Sequence, residues 1–153
     1  MGKLAKWLRL LGYDTTFFTG KEDSQMVDIA LAENRIILTR DTHILKRRPV
    51  TGGRIKAVLI KPDNPESQIQ QVIEGLNLHN HTRPFVLCLE CNQPLIARDL
   101  KEVKERVPPY VFQTQKEYME CPGCQRIYWR GTHWQAMTKK LQKIAQTASE
   151  KSR

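Results

Sequence analysis

The chain has no apolar run approaching the ~20 residues of a membrane-spanning helix. It also has too few acids to balance its bases: 16 Asp and Glu against 25 Lys and Arg, a formal charge of +9 over 153 residues. The first absence excludes a helical membrane span. The second leaves a basic field that favours a polyanion, nucleic acid before others, over a merely basic and unspecialised surface. The surplus is spread over both halves, with 12 bases and 9 acids up to Asn80 and 13 and 7 beyond it. Internal repeats and low-complexity tracts are missing as well. The opening MGKLAKWLRLLGYD is amphipathic and basic, without the apolar core or cleavage site of a secretory leader.

Cysteine is scarce, and its arrangement is the sharpest signal in the chain. Four are present, as two C-x-x-C pairs: Cys88 and Cys91 in LCLECNQPL, Cys121 and Cys124 in ECPGCQRIYW. Two such pairs can set four thiolates around one tetrahedral ion, the arrangement of a structural zinc site. A disulfide framework suits small secreted domains. A redox pair needs only one C-x-x-C beside a thioredoxin-like strand. Zinc is the expectation, and reduced metal-binding thiols suit the cytoplasm. The spacer from Asn92 to Glu120 exceeds the roughly 15–20 residues of simple two-pair sites, so it holds an inserted element; LKEVKERVP reads as a short helix.

The first half alternates helical and strand patterns. Leu4, Leu8 and Leu11 recur at helical spacing over Gly2 to Leu11, with Lys3, Lys6 and Arg9 on other faces and Gly12 placed to end the helix. Thr15 to Phe18 is a short β-rich run. Ser24 to Glu33 reads as a helix with Met26, Ile29 and Ala30 inward and Val27 a further inward candidate. RIILT (Arg35 to Thr39) and IKAVLI (Ile55 to Ile60) are buried strands. Thr42 to Arg47 is a short helix. Pro65 to Leu76 is a helix opened by proline, burying Ile69, Val72, Ile73 and Leu76. This alternation predicts a three-layer α/β domain with a mainly parallel sheet over residues 1–78. A linker from Leu78 to Pro84 leads to the cysteine module over 85–145, which ends in a helix from about Gln135 to Ile144. A frayed polar tail is expected over 146–153.

Ligands of parallel sheets gather beyond the carboxyl ends of the strands. Asp41 follows RIILT there, beside Thr39 and Arg40. Asp23 lies in a loop entering a helix. Both also stand where a helix cap would, so each has a purely structural reading. Asp63 reads as a turn residue, His43 as a helix-surface residue, and Asp14 falls at the opposite strand end. Arg40, Lys46, Arg47, Arg48, Arg54, Lys56 and Lys61 form a basic stretch broken only by Asp41. It is either a track for a phosphate backbone or a solvated face. In the cysteine module, Tyr128, Trp129 and Trp134 alternate with Arg126, Arg130 and His133. That pattern serves base stacking or a small core.

GKLAKWLRLLGYDT, the acid before MVDIA, RIILTRD, and the paired cysteines with IYWRGTHW occur in order from Gly2 to about Leu141. This ordered set resembles the Mut-seven C-terminal ribonuclease family, which joins a PIN-like nuclease domain to a zinc ribbon. The resemblance implies a metal-dependent nuclease acting on RNA, with acids at the sheet's carboxyl edge holding Mg²⁺ or Mn²⁺. It makes Asp41 and Asp23 the expected metal ligands and Thr39 a group that positions phosphate or a metal-bound water. It also makes Arg40 a candidate phosphate contact, while the basic stretch and the aromatic–arginine pattern make Lys46, Arg47, Arg48, Arg130 and Trp134 further expected RNA contacts. The family pattern begins earlier, with an apolar strand ending in a principal metal-ligating aspartate, whereas here only Met1 precedes Gly2. Three expectations follow. Met1 is an internal methionine of a longer reading frame, or the chain is a degenerate member kept for binding, or a partner (a second copy included) supplies the strand.

Overall fold

The computed structural model describes residues 2–78 and 82–151, without the side chains of 148–151. The middle of the expected linker, 79–81, and the last two residues of the expected tail lie outside the described residues.

The first helix, α1 (Gly2–Leu10), turns Leu4, Leu8 and Leu11 into the core. It ends as its sequence dictates. Gly12 N–H donates to Arg9 O and Tyr13 N–H to Leu8 O, a closing pair of bonds that needs a left-handed residue between them. Gly12 supplies it at φ 95°. A Cβ there would also strike the carbonyl oxygen of Arg83, so two constraints demand glycine at this position.

Helix α2 (Asp23–Glu33) follows, then β1 (Ile37–Thr39), α3 (Thr42–Leu45), α4 (Arg48–Thr51), β2 (Ala57–Leu59) and α5 (Pro65–Leu76). α2 and α5 each end on a left-handed asparagine, Asn34 and Asn77. α5 has the bounds its sequence predicts. Asn64 Oδ1 accepts from Ser67 N–H at 2.8 Å, and Pro65 occupies the first turn, where its missing N–H costs nothing.

β1 and β2 pair in parallel, Leu38 opposite Val58. Helices cover both faces of this small sheet. On one side Leu38 and Val58 pack with Leu4, Leu8, Ile69, Val72 and Ile73 of α1 and α5. On the other, Ile37 and Ala57 meet Val27 and Ala30 of α2 and Ile44 of α3. The layering agrees with the sequence pattern. The strands are shorter than expected, however, and Thr15 to Phe18 is not a strand. At its start Thr15 N–H donates to the side chain of Asn92, at 2.9 Å, and not to a neighbouring strand. Ile29, expected inward, is exposed, and Val27 takes its place in the core.

The second half forms a three-stranded antiparallel sheet of β3 (Ile96–Arg98), β4 (Tyr118–Glu120) and β5 (Ile127–Tyr128), in the order β3-β4-β5. The spacer between the cysteine pairs holds α6 (Leu100–Val103) and α7 (Pro109–Thr114). Val103 of α6, Val111 of α7 and Val107 between the two helices surround Tyr118 in a separate small core. The terminal helix, α8 (Thr132–Lys151), is longer than expected and takes in most of the segment read as a frayed tail. It does not stay with the cysteine module. Leu141 and Ala145 join the core of α1 and α5, and Lys140 pairs with Glu66 on α5.

Candidate functional site

The four cysteines converge. Their sulfurs all lie within 4.8 Å of one another, Cys88 and Cys121 buried, Cys91 and Cys124 half-buried. Cys88 and Cys124 sulfurs are 3.7 Å apart. A tetrahedron with Zn–S bonds of about 2.3 Å has S···S edges of about 3.8 Å, so spacing and donor softness both fit zinc. The two pairs are built alike. In each, the first cysteine sulfur accepts a backbone N–H from the second, Cys91 N to Cys88 Sγ at 3.3 Å and Cys124 N to Cys121 Sγ at 3.5 Å. In each, the fourth residue on is left-handed and bonds back to the first cysteine carbonyl: Asn92 at φ 62° and Gln125 at φ 65°. Gly123 keeps the second turn clear of Gln93 in the first.

Four thiols this close cannot all ionise unaided. Hydrogen bonding with Cys124, then burial, pushes Cys91 up to about 12. Cys124 is drawn down to about 6, chiefly by the backbone N–H of Arg126. A dication removes that conflict by neutralising the thiolates together. The cluster can therefore hold a zinc ion, as in a zinc ribbon.

The acidic site is assembled less completely. Asp41 lies just past the carboxyl end of β1. Its backbone N–H donates to Thr39 Oγ1 at 3.0 Å, and its Oδ1 accepts from His43 N–H at 2.9 Å, capping α3. Arg40 reaches across to the end of β2, donating to Pro62 O at 2.8 Å and Asp63 Oδ1 at 2.7 Å. The carboxyl ends of both parallel strands thus carry an acid, and the Arg40 guanidinium ties the segment after β1 to that after β2. Thr39 is buried, and Lys46, Arg47 and Arg48 are exposed beyond Asp41. Asp23 is the first residue of α2, after its cap residue Glu22, so it is not itself the cap. Among the described residues, only the cysteines gather three or more metal-ligating groups closely enough to share an ion. Asp23 and Asp41 have oxygen donors of the right hardness for Mg²⁺ or Mn²⁺, yet the described residues do not complete a cage around them.

Asp14 lies by Arg35, ahead of the amino end of β1, although the strand it was expected to precede does not form. It pairs with Arg35 through both oxygens, at 3.0 and 3.2 Å, and accepts from Asn92 Nδ2 at 2.6 Å. These bonds, that from Arg35 first, hold its carboxyl below the usual range.

Arg9 is the residue the sequence misleads about. The spacing sets it on a face other than that of the leucines, yet it is buried, donating to Thr15 O at 2.8 Å and Leu89 O at 2.6 Å. With Lys6–Glu90 at 2.8 Å it docks the first cysteine turn onto α1. A lone arginine among leucines carries no local signal of this, because its partner is 80 residues away.

Beside the sheet lies a cleft of about 590 Å³, walled by Leu4 and Leu8 of α1, Val72 and Leu76 of α5, and residues Ile36 to Arg40. Ile37 N–H bonds Lys56 O, and Thr39 O accepts from Ile60 N–H. Both residues therefore face β2, and Leu38 turns its backbone N–H and C=O to the opposite edge. Three exposed apolar side chains, Phe17, Ile29 and Ile36, rim the same cleft.

Residues 1–141 match the Mut7-C RNAse domain, and the chain belongs to that family. No curated protein and no solved structure matches it. The family points to a ribonuclease, and so to RNA as substrate. No helix among the described residues is long and apolar enough to cross a membrane.

Proposed function

We propose that this chain is a cytoplasmic, metal-dependent ribonuclease of PIN-like architecture that hydrolyses RNA phosphodiester bonds, with its zinc ribbon serving to dock RNA. The observation that carries the reading is Asp41, held at the carboxyl end of a parallel strand by Thr39 and His43, with one oxygen already committed to the cap. That is where ligands of parallel sheets bind. A divalent cation on carboxylate oxygens supplies an activated water and neutralises charge at the phosphate. Asp41 and Asp23 are its proposed ligands in this chain. Thr39 fixes the backbone at Asp41, and Lys46, Arg47 and Arg48 attract the phosphate backbone. Arg40 is committed to Asp63, so a phosphate contact from it requires that pair to open.

The unpaired edge of β1 supports the companion proposal that a third strand, from a longer form of the chain or from a partner, lies in the cleft. Leu38 offers it backbone hydrogen bonds, and the apolar walls suit buried side chains. Its terminal acid would complete the carboxylate set.

The test is RNA cleavage with Mn²⁺ by this chain, by a form extended at its amino end, and by Asp41→Asn in the extended form. Asparagine caps helices about as well as aspartate, so this change removes charge with little loss of stability. We expect cleavage by the extended form to fall about 100-fold or more on Asp41→Asn, as for loss of one catalytic group. Undiminished cleavage would remove the assignment. One observation favours a second reading, a non-catalytic RNA-binding protein: the carboxylates near Asp41 fall short of a metal cage among the described residues. Salt-sensitive RNA binding without cleavage by either form would select it.

A further inference from the structure

A shallow recess of about 250 Å³ opens where the two halves meet, lined by Ile127, Tyr128, Trp129, Gly131, His133 and Trp134. Its two indoles are anchored from different sides. Trp129 packs on the valine-rich core around Tyr118, and Trp134 on the core of α1, α5 and α8. Phe85 meets Trp134 edge-on with ring centres 5.0 Å apart. The Arg130 guanidinium lies 4.9 Å from the centre of Phe85 and 5.5 Å from that of Trp134. Gly131 lets the chain run against Trp129, since a Cβ there would come within 3.2 Å of the indole nitrogen. The indoles are thus fixed from behind, yet both stay partly exposed and leave the space between them unfilled.

We infer that this recess is a binding slot for one unpaired RNA base. The inference deepens the reading of RNA as substrate and rests on it. The volume is below the roughly 300–1,000 Å³ of pockets for drug-sized ligands, which leaves room for a single planar group. Aromatic walls stack any base through its π-face. The rim is cationic at Arg130, exposed and set against Trp134, so a phosphate flanking a stacked base meets positive charge. Glu117 lies 3.8 Å from Arg130, but both groups are largely exposed, and such a pair is weak enough to yield to a phosphate. Tyr128 OH is engaged with Cys88 sulfur at 3.1 Å, which leaves His133 as the polar side chain on the open side. The slot therefore selects single-stranded over double-stranded RNA and discriminates little among bases.

The test uses the full, zinc-loaded chain and short non-cleavable 2′-O-methyl oligouridines, with all-abasic strands of equal length and a blunt duplex as comparators. Affinity and tryptophan emission are both recorded. Base-bearing strands should bind about 5- to 150-fold tighter than abasic ones, the range for one stacked base, and should quench emission. Trp134→Phe should keep most of that advantage and Trp134→Ala should abolish it, each with zinc content unchanged. Equal binding of base-bearing and abasic strands by the unaltered chain would overturn the slot, whether or not a variant folds. An indole response to proline-rich peptide in place of RNA would overturn it too, assigning the recess to a protein ligand. Cleavage is measured separately on unmodified RNA. Cleavage retained without base preference sinks the slot alone, and base preference without cleavage sinks the nuclease alone.

Discussion

The two ends of this molecule solve the problem of a site differently. The cysteine cluster is closed: four donors, two turns of one design, and all contributions from 37 residues of chain, Cys88 to Cys124. The acidic end of the parallel sheet is open. It has a capped aspartate, an arginine bridge between two strands and an unpaired edge facing an apolar cleft. The first is complete by its own geometry. The second leaves its carboxylate set short of a metal cage among the described residues. The cluster that can hold a structural ion is thus the self-sufficient part, and the proposed chemistry sits where the fold still offers backbone hydrogen bonds.

Removing zinc should break this contrast most severely. The binding energy of a structural zinc is folding energy, apparent values being roughly 10–16 kcal/mol at neutral pH. A strong chelator or Cys121→Ser should melt the antiparallel sheet, with lost amide protection at β4 and β5. The parallel sheet should keep more protection, because its core is mostly its own; equal loss in both would make the halves one cooperative unit. Next, Ile69→Ala, at a fully buried position shared by α1 and α5, should cost about 2–5 kcal/mol in chemical denaturation. Zinc content should hold.

Arg9→Ala tests the join between the halves. It leaves two carbonyls without their donor, so we expect a loss of about 1–3 kcal/mol. Faster exchange at Leu89 to Asn92, with zinc retained, would mark it as loss of docking and not of the metal.

The smallest effect concerns Asp14. Its carboxyl titrates lower folded than unfolded, so its stabilisation is present above the unfolded value near 4 and fades as pH falls through the folded one. Asp14→Asn should lower stability slightly at neutral pH, flatten the acid limb of a stability–pH profile, and match the unaltered chain once pH is below the folded value.

Legibility in the sequence follows the distance over which each feature is determined. The C-x-x-C pairs and the helix over Pro65–Leu76 were readable because spacing, cap and period all lie within a dozen residues. The parallel pairing of RIILT with IKAVLI followed from alternation. Thr15 to Phe18 misled because β-branched and aromatic residues suit strands, whereas the residue that takes up the Thr15 N–H, Asn92, is remote. Matching left-handed residues at Asn92 and Gln125 could have been found only by superposing the two cysteine pairs. Glutamine has little intrinsic preference for that conformation. The return of α8 onto α5 had no local signal, since an amphipathic helix does not announce which core it joins. Asp41 was legible by position, and its cap role and proposed ligand role coexist on different oxygens.

The central claim is that Asp41, and not the better hydrogen-bonded Asp14, marks the reactive end of the sheet. Mn²⁺ titrated into the zinc-loaded chain, followed by paramagnetic broadening of backbone amides, tests it directly. We predict that Asp41 and His43 broaden first while Asp14 and Asn92 stay sharp. Broadening that begins at Asp14, or that spreads evenly over exposed acids without preference for Asp41, would contradict it.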